Sequence, residues 1–249
     1  MWDTLADYAR IALTYDDLAV RHDIPLEPVL SDWARAEPPR VLDVGCGTGL
    51  FLARQAGLPC GPRLAGVDPS PEMLARARAR LPTADLRVAF AESLPFAAGA
   101  FDFVAVRFCH HHFADRRAAF AELARVLAPG GAFALVNIDP PRMPGHWIFG
   151  CFPEARRLDV RYPSATALLA ELAAVGLVAA ASTYRQSGVL PAVEALRQTR
   201  VRDQTHLAAL DDRDYARGLD ALATRVEARP AAELTTESCV VTVRGGRAG

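Results

Sequence analysis

Val41-Leu42-Asp43-Val44-Gly45-Cys46-Gly47-Thr48-Gly49 decides the fold. A short run of β-formers carries a carboxylate, and glycine then occupies every second position. Such a stretch predicts an apolar strand running into a turn whose backbone must pass close to another group. Glycine accepts positive φ there and carries no Cβ to block a ligand. A second carboxylate, Asp68, ends the next apolar run, Leu64-Ala65-Gly66-Val67. Two strands, a glycine turn and an acid after the second strand form the layout of a nucleotide site on a doubly wound sheet, with the acid on ribose hydroxyls.

The glycine spacing separates two cofactor classes. A dinucleotide turn wants G-x-G-x-x-G. Here the third glycine comes one residue early, at Gly49, and Leu50 holds the dinucleotide position. An acid two residues before the first glycine, at Asp43, is also unusual for a dinucleotide fold. The pattern D-x-G-x-G-x-G resembles the first motif of the class I S-adenosylmethionine (SAM) methyltransferases.

Composition narrows the field. At 249 residues, about half of them apolar, the chain can bury a substantial core. A net charge of −1 removes the simplest electrostatic case for nucleic acid, and no nucleic-acid partner is expected. No apolar run reaches the roughly 18 residues of a membrane span. The N-terminus carries acids and no basic region, which argues against a secretory signal. Five scattered cysteines without C-x-x-C fit a reduced, cytoplasmic compartment. All 28 basic residues are arginine. Lysine Schiff-base chemistry and Walker-type phosphate loops are therefore excluded. Nothing in the sequence sets an oligomeric state.

Along the chain, residues 1–39 read as helical, with Leu5, Tyr8, Ile11 and Ala12 on one face. A short helix follows the glycine loop, from Leu50 to Ala56. Ser70-Pro71-Glu72 supplies a capping hydroxyl, a first-turn proline and an acid, and predicts a helix to Leu81. Strands are expected at Leu86–Phe90, Phe101–Arg107 and Ala132–Ile138. Between the last two, Asp115 caps a helix that Pro129-Gly130-Gly131 stops. Residues 139–163 read as irregular. Ser164 opens a helix to Val175, Leu177–Tyr184 is a strand, 189–229 is mostly helical, and Thr236–Val243 is the last strand. The expected class is α/β: a doubly wound, Rossmann-like, seven-stranded, mostly parallel sheet with a reversed last strand and helical cap elements. The organisation is one domain over 1–249, with its core at 38–185 and 234–244, an N-terminal cap at 1–37 and a helical insertion at 189–229.

Further segments extend the resemblance, in order. They are Gly66-Val67-Asp68-Pro69-Ser70-Pro71-Glu72-Met73-Leu74, Glu92-Ser93-Leu94-Pro95-Phe96 with Phe101-Asp102, His110-His111-His112-Phe113-Ala114-Asp115, and Glu122 through Gly131. Together they are similar to the methyltransferase group that includes the ubiquinone and menaquinone C-methyltransferases. The resemblance covers roughly residues 38–140. It implies SAM as cofactor and S-adenosylhomocysteine as product. It implies that Gly45 and Gly47 let backbone approach the methionine part and that Asp43 orients the amino group. Asp68 would take both ribose hydroxyls, with Pro69 beside it. Met73 would pack near adenine, Ala91 backbone and Glu92 would sit at its edge, and the Arg107 main chain would face the amino group. The chain departs from the pattern at Ala89-Phe90-Ala91-Glu92. Many relatives carry an aspartate for the adenine amino group where this chain has Phe90.

Methyl transfer from a sulfonium needs a positioned nucleophile and excluded water, and a base only where the nucleophile holds a proton. His110, His111 and His112 are the candidates for that base; in extended backbone His110 and His112 would share one face. The competing reading makes them a structural loop. Three consecutive histidines cannot all face one ion, and no metal is expected. Acceptor-binding candidates are Tyr15, Trp147, Phe149, Arg156 and Arg157; Trp147 and Phe149 stand in an aromatic stretch that also fits a core role, and the arginines also fit a solvated surface. The expected activity is methyl transfer to carbon or oxygen of a small, partly apolar acceptor. The rivals are an RNA or protein methyltransferase, a SAM-binding protein without turnover, and an NAD-linked enzyme.

Overall fold

A computed structural model describes Tyr8, Asp16 and residues 38–202 and 204–247. The expected N-terminal helix, with Leu5, Ile11, Ala12 and the candidate Tyr15, lies outside the described residues.

Seven strands form one sheet: β1 (Arg40–Val44), β2 (Arg63–Asp68), β3 (Asp85–Val88), β4 (Phe101–Arg107), β5 (Leu127–Ile138), β6 (Leu177–Pro191) and β7 (Glu233–Arg247). Their order is β3-β2-β1-β4-β5-β7-β6. The pairs β1–β2, β1–β4, β2–β3 and β4–β5 are parallel, and the sheet carries one reversed strand. Strand order reverses between β1 and β4, so the crevice beyond their carboxyl ends is the topological switch point where ligands bind. Strand β4 shows why it is central: Phe101 through Val106 are all buried, as a strand covered on both faces requires.

The connecting helices are α1 (Leu50–Ala56), α2 (Pro71–Arg80), α3 (Arg116–Val126) and α5 (Ala165–Ala173), with α4 (Trp147–Cys151), α6 (Ala192–Thr199), α7 (Thr205–Ala208) and α8 (Asp212–Ala228) in the remaining segments. Three of the connecting helices are capped as their residue types demand. Ser70 Oγ accepts from Met73 N, Asp115 Oδ1 from Ala118 N and Ser164 Oγ from Ala167 N. Each cap contributes about 1 kcal/mol. Helix α2 then buries Met73, Leu74 and Ala77 at helical spacing.

Four expectations are corrected. The fifth strand begins at Leu127, five residues early. Pro129-Gly130-Gly131 does not end the helix but lies at an irregularity within the strand, where the register with β4 jumps from Phe101↔Leu127 to Phe103↔Ala132. Residues 139–163 are not irregular. They hold 3₁₀ turns at Pro140–Arg142 and Pro153–Arg161 with α4 between them, so the prolines open turns there. The last two strands run longer than their apolar stretches, to Leu177–Pro191 and Glu233–Arg247. His110–His112 form one 3₁₀ turn, not extended chain.

The described chain forms two compact units. One comprises Ile138–Pro163 and Thr183–Val241; its core gathers Trp147, Ile148, Phe152, Leu207, Leu222 and Leu234. The other holds the described residues up to Asn137, 164–182 and 242–247, with Leu42, Phe103, Phe120 and Phe133 fully buried.

Candidate active site

The glycine turn after β1 is built around two carboxylates. Asp43, at 2% exposure, lies inside β1, and its Oδ1 has no hydrogen-bond partner among the described residues. Burial raises its carboxyl to about 7, with the Arg107 guanidinium pulling the other way and Asp68 adding to the rise. Asp68 ends β2. Its Oδ2 accepts from Gly47 N and its Oδ1 from Ser70 N, both at 2.9 Å. Those two bonds fix the carboxylate against the turn while leaving lone pairs on both oxygens. Burial also raises its pKa, against the same two amides.

The glycines divide the work. At Gly45 (φ 74°) a Cβ would lie 2.7 Å from Cys109 Sγ, so this glycine is required by packing against the loop after β4. At Gly47 (φ 53°) a Cβ would meet nothing within 4 Å among the described residues. This is the open side of the turn, where backbone can face a ligand. The Cys109 thiol donates to Val44 O at 3.1 Å. Burial and the neighbouring acids push both Cys46 and Cys109 well up, which keeps them as thiols.

Two described residues of the N-terminal segment reach this unit. Asp16 Oδ1 accepts from Thr48 Oγ1 at 2.6 Å, and its Oδ2 pairs with Arg80 at 2.6 Å. Arg80 also donates to the Thr48 carbonyl. Tyr8 Oη lies 3.0 Å from His112 Nε2.

A left-handed Phe108 (φ 52°) turns the chain out of β4 into the histidine turn. Asn137, at the carboxyl end of β5, donates from one amide nitrogen to His110 Nε2 at 3.1 Å and to His111 Nδ1 at 3.0 Å. The rings of His111 and His112 lie 3.9 Å apart. Burial holds His110 down at about 3, with Arg116 adding to the effect, so it is neutral throughout the physiological range.

The remaining predicted residues fall as follows. Met73 is buried in α2 and Ala91 is buried. Pro69 separates Asp68 from the Ser70 cap. Glu92 Oε1 accepts from Ala114 N at 2.8 Å and Asp115 N at 3.2 Å, so this carboxylate pins the start of α3. The Arg107 side chain lies over the Phe51 ring at 4.8 Å. In the other unit Trp147 is core. Phe149 lies under Arg156 at 3.5 Å, and Arg156 spends its donors on the carbonyls of Pro140 and Met143 and on Asp159. Arg157 is 70% exposed and pairs with Asp214. Sequence reasoning missed Asn137, Thr48 and Asp16. Asn137 stands in Asn137-Ile138-Asp139-Pro140-Pro141, whose order fits no catalytic motif, and only its place beside β4 reveals its partners.

A buried acid, Asp43, and a half-buried one, Asp68, thus flank a glycine turn at the switch-point crevice, the arrangement of a nucleotide site on a doubly wound sheet. Residues 42–135 match the methyltransferase domain family. Within that domain the chain is similar to demethylmenaquinone methyltransferases. It is 41% identical to that of Chlorobaculum parvum over 106 residues, 43% of this chain and 44% of that protein. It is 43% identical to that of Thermus thermophilus over 109 residues, 42% and 49% respectively. The chain thus spans about half the length of these curated relatives. A solved structure of a putative methyltransferase from Bacillus halodurans shares the fold, at TM-score 0.64 and 17% identity over 90% of this chain and 99% of that one. So does a Haemonchus contortus phosphoethanolamine N-methyltransferase in complex with SAM, at TM-score 0.59 and 18% identity over 97% and 57%.

Proposed function

We propose that this chain is a SAM-dependent methyltransferase that moves a methyl group to carbon or oxygen of a small, partly apolar acceptor. The observation that carries the reading is the buried Asp43 Oδ1, which has no hydrogen-bond partner among the described residues and stands beside a turn open at Gly47. A buried carboxylate in that position is costly until a cation or donor reaches it, and an α-ammonium group is such a partner. The residues fit SAM: Asp43 would hold the amino group, Gly47 backbone would face the methionine part, and Asp68 would accept from the ribose hydroxyls. SAM, when bound, supplies a methyl group on an already activated sulfur. The protein's own contribution is position. Thr48 and Arg80, tied through Asp16, hold the turn, and Asn137 holds His110 and His111 still at the carboxyl edge of the sheet.

The relatives are named for methylation of demethylmenaquinone, which supports a small, partly apolar acceptor. In this reading the unit that holds the described residues up to Asn137 carries the cofactor site. The net charge of −1 speaks against a nucleic-acid acceptor. The five cysteines are all free thiols, which supports a cytoplasmic setting. Among the described residues no helix is long and apolar enough to cross a membrane.

Calorimetric titration with SAM and S-adenosylhomocysteine tests the reading. Binding that Asp68→Ala weakens by roughly 1.5–3 kcal/mol, the range for a hydrogen bond to a charged group, is the expected result. A folded wild-type protein that binds neither compound would refute it.

A further inference from the structure

We infer that Asn137 is a positioning residue that holds His110 with its hydrogen on Nδ1 and His111 with its hydrogen on Nε2, and so takes both rings out of the role of general base. The consequence for methyl transfer rests on the SAM-dependent reading; the state of the two rings does not.

Sheet order brings the three side chains together. Strand β5 lies parallel beside β4, with Val136 opposite Arg107, and Phe108 N donates to Val136 O at 2.7 Å. Asn137 is the next residue of β5, level with the chain as it leaves β4. Phe108, left-handed at φ 52°, then turns that chain into the 3₁₀ turn His110–His112. The turn is closed by His112 N on Cys109 O at 2.8 Å and by Phe113 N on His110 O at 3.3 Å. Asn137, His110 and His111 are all buried.

The donor fixes the polarity of the bonds. The Asn137 side-chain nitrogen carries two hydrogens and donates only. It lies 3.1 Å from His110 Nε2 and 3.0 Å from His111 Nδ1, so both ring nitrogens accept. A neutral imidazole has one N–H and one lone pair. The hydrogen of His110 is therefore on Nδ1 and that of His111 on Nε2, opposite tautomers set by one amide. An imidazolium carries a hydrogen on both nitrogens and could not accept either bond. Burial, with Arg116 adding to it, favours the same neutral form of His110, holding it at about 3.

A general base must offer a lone pair to the proton it takes. Both lone pairs here are spent on Asn137, and freeing one would strip a buried N–H of its acceptor. What each ring has left to offer is an N–H. The third ring is engaged differently, with His112 Nε2 at 3.0 Å from Tyr8 Oη.

The test reads the rings directly. Long-range proton–nitrogen correlation spectra of the full chain, labelled with nitrogen-15 and held at neutral pH, tell Nδ1–H from Nε2–H in each imidazole. Spectra of His110→Gln and His111→Gln assign the two rings. The expected result is Nδ1–H on His110, the form that an imidazole side chain in water disfavours, and Nε2–H on His111. Nε2–H on His110, Nδ1–H on His111 or an imidazolium on either would overturn the inference. Asn137→Asp places an acceptor where the donor was and is expected to exchange both tautomers. Asn137→Leu removes both bonds and is expected to return His110 to Nε2–H, which keeps the test open if the buried carboxylate prevents folding. Tautomers unchanged in a folded variant of either kind would show that Asn137 does not set them. The wild-type spectra are then repeated with saturating S-adenosylhomocysteine. Unchanged tautomers are expected, and an exchange in that complex would overturn the exclusion of the two rings as bases. If S-adenosylhomocysteine does not bind, the cofactor reading fails on its own, while the ligand-free spectra still decide the tautomers.

Discussion

Asp16 Oδ1 accepts a hydrogen bond of 2.6 Å from the Thr48 hydroxyl, 32 residues along the chain and inside the glycine turn. The same carboxylate pairs with Arg80 at 2.6 Å and stands 3.8 Å from Arg76, both on α2. A residue of the N-terminal segment thus fastens the turn that carries Gly47 to the helix that follows Asp68. Asp16→Ala is expected to weaken SAM binding by roughly 1–2 kcal/mol, as for a lost charge-assisted hydrogen bond, with little change in Tm. Calorimetry and a thermal melt on the same sample check this. A fall in Tm with unchanged affinity would make Asp16 a stability residue only.

Two glycines of one turn give opposite signatures. Gly45→Ala drives a Cβ onto Cys109, with both Sγ and Cβ under 3 Å, so the loop after β4 must move. We expect a loss of about 2–4 kcal/mol in folding stability, from overpacking plus a left-handed residue. Gly47→Ala meets no neighbour among the described residues and is expected to cost only about 1 kcal/mol, while the new methyl group fills the face offered to the ligand. Urea melts and SAM titrations of both variants check the pair. A Gly47→Ala protein that binds SAM normally would contradict the placement of the ligand.

Much of the site's frame is local in origin and so was legible in the sequence. Ser70, Asp115 and Ser164 each accept from an amide three residues on, within reach of pattern reasoning. The apolar continuity of Phe101–Val106 likewise marks a central strand. What was not legible depends on contacts far apart in sequence. Glu92 was legible as a base-edge candidate because its neighbours match that segment, but that its Oε1 accepts from amides 22 and 23 residues later was not. Asn137 touches His110 and His111 only because β5 lies beside β4. The Pro-Gly-Gly irregularity in β5 had the composition of a helix stop, and its register was set by the neighbouring strand.

Acid sensitivity follows from the buried histidines. Burial first, and nearby positive charge second, hold His110 at about 3 and His206 at about 4, against 6.5 for the exposed side chain. The unfolded chain takes up these protons first. Stability is therefore complete above pH 6.5 and is lost as pH falls towards these values. His110→Gln keeps an acceptor for Asn137 and removes the titration. It is expected to lower the pH slope of unfolding free energy near pH 5 by about one proton, or roughly 1.4 kcal/mol per pH unit. Urea melts at several pH values measure that slope, and an unchanged slope would mean that His110 is already protonated in the fold.

Asp43 titrates with the opposite sign. Its carboxyl stands at about 7 in the fold and 3.8 in the open chain, chiefly because it is buried. The folded state holds the extra proton between those values, so this group's contribution to stability falls as pH rises from about 4 to about 7. Asp43→Asn removes the buried charge and is expected to stabilise the ligand-free protein at pH 8 by up to about 4 kcal/mol, the full worth of the shift. Binding moves the other way, because a cationic amino group favours the ionised carboxylate. SAM binding to the wild type at pH 6 should therefore release close to one proton, and at pH 8 close to none. Titrations at pH 6 in buffers of different ionisation heat count those protons. The Asp43→Asn protein should release none and bind at least roughly tenfold more weakly at pH 8. Equal proton release by the two proteins would remove Asp43 from the amino-group site.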